Sequence, residues 1–203
     1  MTGPAEILLA DARAAPGVDR IVRVIRSGGV LAYPAETMYG LGGDGLRADV
    51  AVRLAALKGS PSDKAFLLLL DDEDRWRSVA SRFPEAARRL ARKWWPGPLT
   101  ILLPARVDCV AAREGKVAVR VPDLPALRRW IEAAGVPLFS TSANRSGEGP
   151  VRDPAELRAL FGGGIDLLVA GPRFPADGPP STVVDGTVDP PLLVRAGAVP
   201  FAP

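Results

Sequence analysis

A set of short apolar runs, each of strand length, constrains the fold more than any other feature of the sequence. The longest is the aliphatic run Phe66–Leu70, which is typical of a strand in a sheet covered on both faces. Similar runs are VLAYP, LTILLPA, VAVRVP, PLFSTS, DLLVAG, STVVDG and PLLVRAG. Segments with helical spacing, such as residues 18–25, separate some of these runs without a strict alternation. The pattern predicts an α/β fold in which helices pack on a mixed, twisted sheet, as one domain over residues 1–203.

The chain contains no histidine and a single cysteine, Cys109. Catalytic triads with histidine and zinc sites with histidine are therefore excluded. One cysteine makes neither an intrachain disulfide nor a cysteine-based zinc site, which fits a reducing compartment. We therefore expect no metal site built from protein ligands.

The charge balance is mild, with 26 basic and 23 acidic residues and a net charge of +3. This is not the signature of a dedicated nucleic-acid-binding arm. The N-terminus lacks the basic region of a signal peptide, and no apolar run approaches the roughly 20 residues of a membrane span. The sequence therefore predicts a cytoplasmic protein without a membrane segment.

Three loops follow predicted strands or a helix and contain most of the polar residues of interest. We expect them to meet in one cleft if their strands are neighbours. The first, residues 35–45, contains the stretch 40–45, which formally fits the dinucleotide-binding pattern G-x-G-x-x-G. Its first glycine lies several residues past the end of the strand, which favours a loop that needs the conformational freedom of glycine.

The second loop contains Lys58, Ser60 and Lys64, where the lysines either stabilise a helix C-terminus or hold phosphates. The third loop contains Ser140, Ser142 and Asn144, which either stabilise a turn or bind a nucleotide phosphate or ribose. Both interpretations stay open for each loop.

Two arginines interrupt apolar strands, Arg120 in VAVRVP and Arg195 in PLLVRAG. A guanidinium on a buried strand is costly unless it is paired. Each arginine either forms an ion pair with a carboxylate of the chain or binds a carboxylate or phosphate of a ligand.

Taken in order, seven motifs resemble the YrdC-like family of threonylcarbamoyl-AMP synthases, in its short single-domain form. They are YPAETMYGLG, LKGSPSDKAFLLLL, WWPGPLTILL, VAVRVPD, STSANRSGEGP, STVVD and LLVRAG. The resemblance implies an open twisted sheet that encloses a large, positively lined cavity. It implies the synthesis of threonylcarbamoyl-AMP from L-threonine, bicarbonate and ATP, with Mg²⁺ accompanying ATP. A separate transferase would then modify tRNA, and some members also bind tRNA or double-stranded RNA.

The resemblance also implies roles for residues that match the family motifs. Lys58 and Arg120 would be catalytic. Threonine would be bound by Thr37, Arg120 and Ser181. ATP would be bound by Lys58, Ser60, Lys64, Lys116, Ser140, Ser142, Asn144 and Arg195.

The chain departs from the family pattern at four positions. Ser60 stands where the K-x-R motif has arginine, and Ala35, Ala65 and Pro150 replace other usual residues. The alternative prediction is therefore a divergent paralogue, which is either an RNA-binding module or an enzyme for another carbamoyl or nucleotide substrate.

Overall fold

The computed structural model describes residues 4–36, 38–60, 66–175 and 178–201. The strands are β1 Ala5–Leu8, β2 Leu31–Pro34, β3 Tyr39–Asp44, β4 Leu67–Leu69, β5 Leu99–Pro104, β6 Lys116–Arg120, β7 Leu138–Ser142, β8 Leu167–Ala170, β9 Thr182–Asp185 and β10 Leu192–Arg195. The α-helices are α1 Ala15–Arg26, α2 Ala48–Lys58, α3 Glu85–Trp94, α4 Pro125–Ala134 and α5 Pro154–Phe161. Two 3₁₀ helices span Asp11–Arg13 and Glu73–Ser78.

These strands form one sheet in the order β1-β8-β2-β3-β7-β4-β6-β5-β9-β10. Parallel pairs join β1 to β8, β8 to β2, β4 to β6 and β5 to β9, whereas the other neighbours are antiparallel. The sheet is therefore mixed, which confirms the prediction drawn from the irregular order of strands and helices. No helix in the described residues has both the length and the apolar character required to cross a bilayer.

Helices cover both faces of the sheet. On one face, α1 and α4 pack together over a cluster that includes Ile21, Tyr33 and Trp130. On the other face, α2, α3 and α5 contribute to a cluster that includes Leu54, Ala87 and Leu157. Because both faces are covered, the central strands are apolar on both sides, as the continuous run in β4 predicted.

The glycine-rich segment before α2 is a strand, so both sequence interpretations of it were wrong. Residues 40–43 belong to β3, between β2 and β7, and all four are buried. A methyl group at Gly42 would lie 2.1 Å from the carbonyl oxygen of Phe139 and 3.0 Å from the ring of Tyr33. Glycine is therefore required by the close approach of neighbouring groups, rather than by a positive φ or a pyrophosphate.

The sheet edges differ from the sequence prediction in two ways. The strand β1 was not predicted, because its residues are mostly exposed and lack an apolar pattern. At the other edge, all four residues of β10 are exposed, so Arg195 does not lie on a buried strand as expected. The desolvation penalty of the Arg195 guanidinium is therefore small. Of the two arginines expected on buried strands, Arg120 is the one whose side chain is largely buried.

Candidate active site

The loops after β2 and β7, together with Lys58 at the end of α2, line a cavity of about 590 Å³. Residues 61–64 of the second predicted loop lie outside the described residues. Among the residues that the structure describes, the lining contains three cationic residues, Lys58, Arg120 and Arg195, and two acidic ones, Glu36 and Glu148. Seven of the residues singled out from the sequence line this cavity: Lys58, Arg120, Ser140, Ser142, Asn144, Ser181 and Arg195.

Arg120 lies at the C-terminal end of β6 with its side chain largely buried. Its Nε donates a 2.9 Å hydrogen bond to the carbonyl oxygen of Gly97. Its Nη2 forms an ion pair with the carboxylate of Glu36, which also accepts a 2.9 Å hydrogen bond from the backbone N–H of Asp123. Burial lowers the pKa of Arg120 to about 10. The guanidinium therefore still carries its charge at neutral pH and offers it to an anion in the cavity.

Lys58, the last residue of α2, is fully enclosed, with only 2% of its surface exposed. Its ammonium donates to the carbonyl oxygens of Ser142 and Asn144, at 2.6 and 2.9 Å, and to Oδ1 of Asn144 at 2.9 Å. The Nδ2 of Asn144 in turn donates to the carbonyl oxygens of Arg145 and Glu148. One buried cation thus joins the end of α2 to the third loop.

Ser140 lies within β7 rather than in a turn, and a hydrogen bond from Tyr33 holds its side chain in position. The Tyr33 hydroxyl donates a 2.9 Å hydrogen bond to Oγ of Ser140, across the glycine strand β3. Burial of this phenol raises its pKa, so it stays protonated and remains a donor. The glycines of β3 leave the space through which this contact forms.

The opposite wall of the cavity comes from β5 and the last strands. Arg195 donates to the carbonyl oxygen and to Oγ of Ser181, at 2.8 and 3.2 Å. The Ser181 Oγ also lies 3.0 Å from Oγ1 of Thr100, a lining residue in β5. Sequence reasoning missed Thr100, although a hydroxyl inside the apolar run LTILLPA was a signal for it. It also missed Glu36, which lies within the motif YPAETMYGLG.

Two further predicted residues lie outside the lining of the cavity. Ser60 follows Gly59, which ends α2 in a left-handed conformation, and Oγ of Ser60 is buried. Lys116 is on the same face of β6 as Arg120, about 13 Å along the strand. Its ammonium lies 2.6 Å from the carboxylate of Asp185. Two others, Thr37 and Lys64, lie outside the described residues.

The Sua5/YciO/YrdC family model, described as telomere recombination, matches residues 23–197. The chain is 35% identical over 167 residues to the threonylcarbamoyl-AMP synthase of Marinobacter nauticus, covering 80% of this chain and 87% of that protein. It is 31% identical to the threonylcarbamoyl-AMP synthase of Bacillus subtilis, covering 91% of this chain but only 54% of that protein. The chain therefore spans nearly all of one of these two curated relatives and about half of the other.

Solved structures show the same relationship. The structure of Pyrococcus abyssi Sua5 complexed with L-threonine superposes with a TM-score of 0.85 at 30% identity, over 98% of this chain and 58% of that chain. Escherichia coli YciO superposes with a TM-score of 0.80 at 26% identity, over 97% and 96% of the two chains. The resemblance drawn from the motifs is thereby confirmed. The chain belongs to the Sua5/YciO/YrdC family.

Proposed function

We propose that the protein synthesises threonylcarbamoyl-AMP from L-threonine, bicarbonate and ATP. The observation that carries this proposal is the cavity that brings the buried Arg120 together with Lys58 and the Ser142–Asn144 loop. Relatives named threonylcarbamoyl-AMP synthase, and the threonine complex of Pyrococcus abyssi Sua5, support the choice of substrate class.

The reaction consists of two steps that require alignment more than a protein nucleophile. The amino group of threonine, after its ammonium form has released a proton to solvent, attacks bicarbonate and gives a carbamate and water. A carbamate oxygen then attacks the α-phosphorus of ATP and releases pyrophosphate. Positioned cations and hydrogen-bond donors stabilise the charge that develops on the phosphate oxygens, so a chain without histidine is able to catalyse it.

The geometry supports a division of the cavity between the two substrates. Arg120 and Ser181 bind the threonine, with the guanidinium on its carboxylate. ATP occupies the region of Lys58, Ser140, Ser142, Asn144 and Arg195, where hydroxyls, an amide and two cations meet. Lys116 and Ser60 reach the nucleotide only after side-chain movement, because both lie outside the lining.

Mg²⁺ is proposed to arrive with ATP. Within the described residues no group of three or more carboxylate or thiol side chains is able to hold a metal ion. The triphosphate therefore supplies most of the ligands, and the ion neutralises phosphate charge during the displacement.

The product is a mixed anhydride, which is reactive towards nucleophiles. We propose that a separate transferase passes the threonylcarbamoyl group to an adenosine of tRNA, and that this takes place in the cytoplasm. The proposal requires no direct contact between this chain and tRNA.

Release of pyrophosphate from ATP tests the proposed function. We expect release that depends on both L-threonine and bicarbonate and that stops when either is omitted. The variant Arg120→Ala is expected to reduce kcat/KM for threonine about 100-fold, because a charge-paired contact with the carboxylate is lost.

The matched control is Arg89→Ala, which removes an exposed arginine of α3 that is remote from the cavity. We expect its activity to equal that of the wild type. Release that is the same with and without threonine would contradict the proposal, as would equal activities of the two variants.

A further inference from the structure

Glu36 is held in the cavity by two groups from different elements. One carboxylate oxygen accepts the backbone N–H of Asp123 at 2.9 Å, and the other pairs with Nη2 of Arg120. About a fifth of the side chain remains exposed, and Glu36 lines both this cavity and a second one beside α4. A carboxylate has about four positions that accept hydrogen bonds, so two contacts leave it able to accept more.

Arg120 also retains a donor for a ligand. Its Nε is used by the carbonyl oxygen of Gly97 and its Nη2 by Glu36. Across residues 4–36, 38–60, 66–175 and 178–201, no hydrogen bond uses Nη1 of this arginine. A carboxylate that enters the cavity is therefore able to bind Nη1 while Glu36 stays in place.

A cation and an anion thus lie side by side, which is complementary to a zwitterion. The α-carboxylate and α-ammonium of an amino acid are carried by adjacent atoms, so a ligand carboxylate on Nη1 brings its ammonium close to Glu36. The other carboxylate among the described lining residues is Glu148, in the exposed loop after β7. We propose that Glu36 binds the α-ammonium group of the amino-acid substrate and selects α-amino acids over other carboxylic acids.

This proposal rests on the proposed function for the identity of the amino acid. Calorimetric titration with L-threonine and with 3-hydroxybutanoate, which has hydrogen in place of the amino group, tests it without turnover. We expect the wild type to prefer L-threonine by about 10- to 100-fold, the range for a hydrogen bond to a charged group. Glu36→Gln should lose this preference by binding threonine more weakly, with the Kd of 3-hydroxybutanoate changed less than about threefold.

Two outcomes with Glu36→Gln would overturn the proposal. Equal weakening of both ligands would mean that Glu36 only holds Arg120 in position. Tighter binding of both would mean that Glu36 competes with the ligand carboxylate for the guanidinium. The matched control is Glu85→Gln, which breaks an exposed glutamate–arginine pair on α3 and should leave both Kd values unchanged.

A second variant covers the case in which Glu36→Gln fails to fold, as thermal unfolding would show. Glu36→Asp keeps the charge but shortens the side chain, and we expect an intermediate preference for L-threonine. An unchanged preference would overturn the proposal.

Failure of the proposed function is distinguishable from failure of this inference. If the wild type binds a different L-α-amino acid instead of threonine, the proposed function fails. The inference about Glu36 is then tested with that amino acid and with its analogue that lacks the amino group. If it binds no α-amino acid at all, both are overturned.

Discussion

The ammonium of Lys58 lies 2.6 Å from the carbonyl oxygen of Ser142, so the end of α2 is tied to the end of β7. Two more hydrogen bonds connect the same ammonium to Asn144. A lysine this deeply buried is stable because carbonyl and amide oxygens replace water around its charge. Lys58 therefore shapes the polar loop of the cavity in addition to supplying positive charge.

Replacing Lys58 should impair both stability and activity. In Lys58→Met two backbone carbonyl oxygens lose their donor, at a cost of about 1–3 kcal/mol in the free energy of unfolding. We expect a lower Tm and a fall in pyrophosphate release of about 100-fold. The control Lys93→Met removes an exposed lysine of α3 and should change neither measurement. A normal Tm for Lys58→Met would show that the loop is held by other contacts.

Restoring the family arginine at position 60 should strengthen nucleotide binding. Ser60 follows the left-handed Gly59, and its N–H bonds the carbonyl oxygen of Ala55, so the backbone there is fixed. The longer arginine side chain adds one positive charge two residues after Lys58, although Ser60 itself lies outside the cavity lining, and we expect Ser60→Arg to lower the KM for ATP about fivefold. Ser78→Arg adds the same charge on an exposed 3₁₀ helix and should have no effect. An unchanged KM for Ser60→Arg would indicate that another cation already fills this role.

The Lys116–Asp185 pair should make stability depend on pH in the acidic range. Burial by itself raises the pKa of Asp185, but hydrogen bonds from Lys116 and Thr187 outweigh it and lower the pKa below its usual value. The stabilisation is therefore complete above about pH 3.9, the unfolded value, and disappears as the pH falls through the lower folded value. We expect Asp185→Asn to lower Tm at pH 7, and we expect the difference from the wild type to shrink as the pH falls below about 3.9.

Asp108→Asn is the control for this series. Asp108 pairs with Arg106 on the surface, where ion pairs contribute little to stability. Its Tm should follow that of the wild type at every pH. A Tm difference for Asp185→Asn that stays constant down to pH 2 would show that the carboxylate charge is not its cause.

A methyl group at position 42 should destabilise the fold. In Gly42→Ala the added carbon meets the Phe139 carbonyl oxygen and the Tyr33 ring, neither of which is able to move without disturbing β7 or the Tyr33–Ser140 bond. We expect a loss of about 1–3 kcal/mol in the free energy of unfolding, measured by urea denaturation. Gly163→Ala introduces the same group where nothing lies within 4 Å and should change stability by less than about 0.5 kcal/mol. Equal stabilities would contradict the packing role of Gly42.

The sequence predicted those parts of the fold that depend on local apolar patterns. The buried strands β4, β5 and β6 and the helix α1 fall where the patterns placed them. It failed at β3, because the need for glycine there comes from Tyr33 and Phe139, which are distant in the chain. It also failed at β1, whose exposed residues are held by pairing with β8 instead of by burial.

The candidate site was predicted where polar residues follow neighbouring strands. The residues of the third loop meet Lys58 as expected, because β7 lies next to the glycine strand and β4. Glu36 was not predicted as a site residue. Its pairing with Arg120 joins the loop after β2 to the end of β6, and a contact between such distant residues produces no pattern in the local sequence. Arg195 was correctly placed near the cavity even though its strand is exposed.

The order of strands in the sheet has a consequence for how the chain is made. In the sheet, β1 pairs with β8 and β5 pairs with β9, so strands far apart in the sequence are neighbours. Such distant pairings are slow to form because a long loop must close first. Nascent chains that end before residue 181 lack both Ser181 and Arg195. A nascent chain therefore lacks part of the cavity lining until residue 195 has been made, and strands that are still unpaired are prone to aggregation until then.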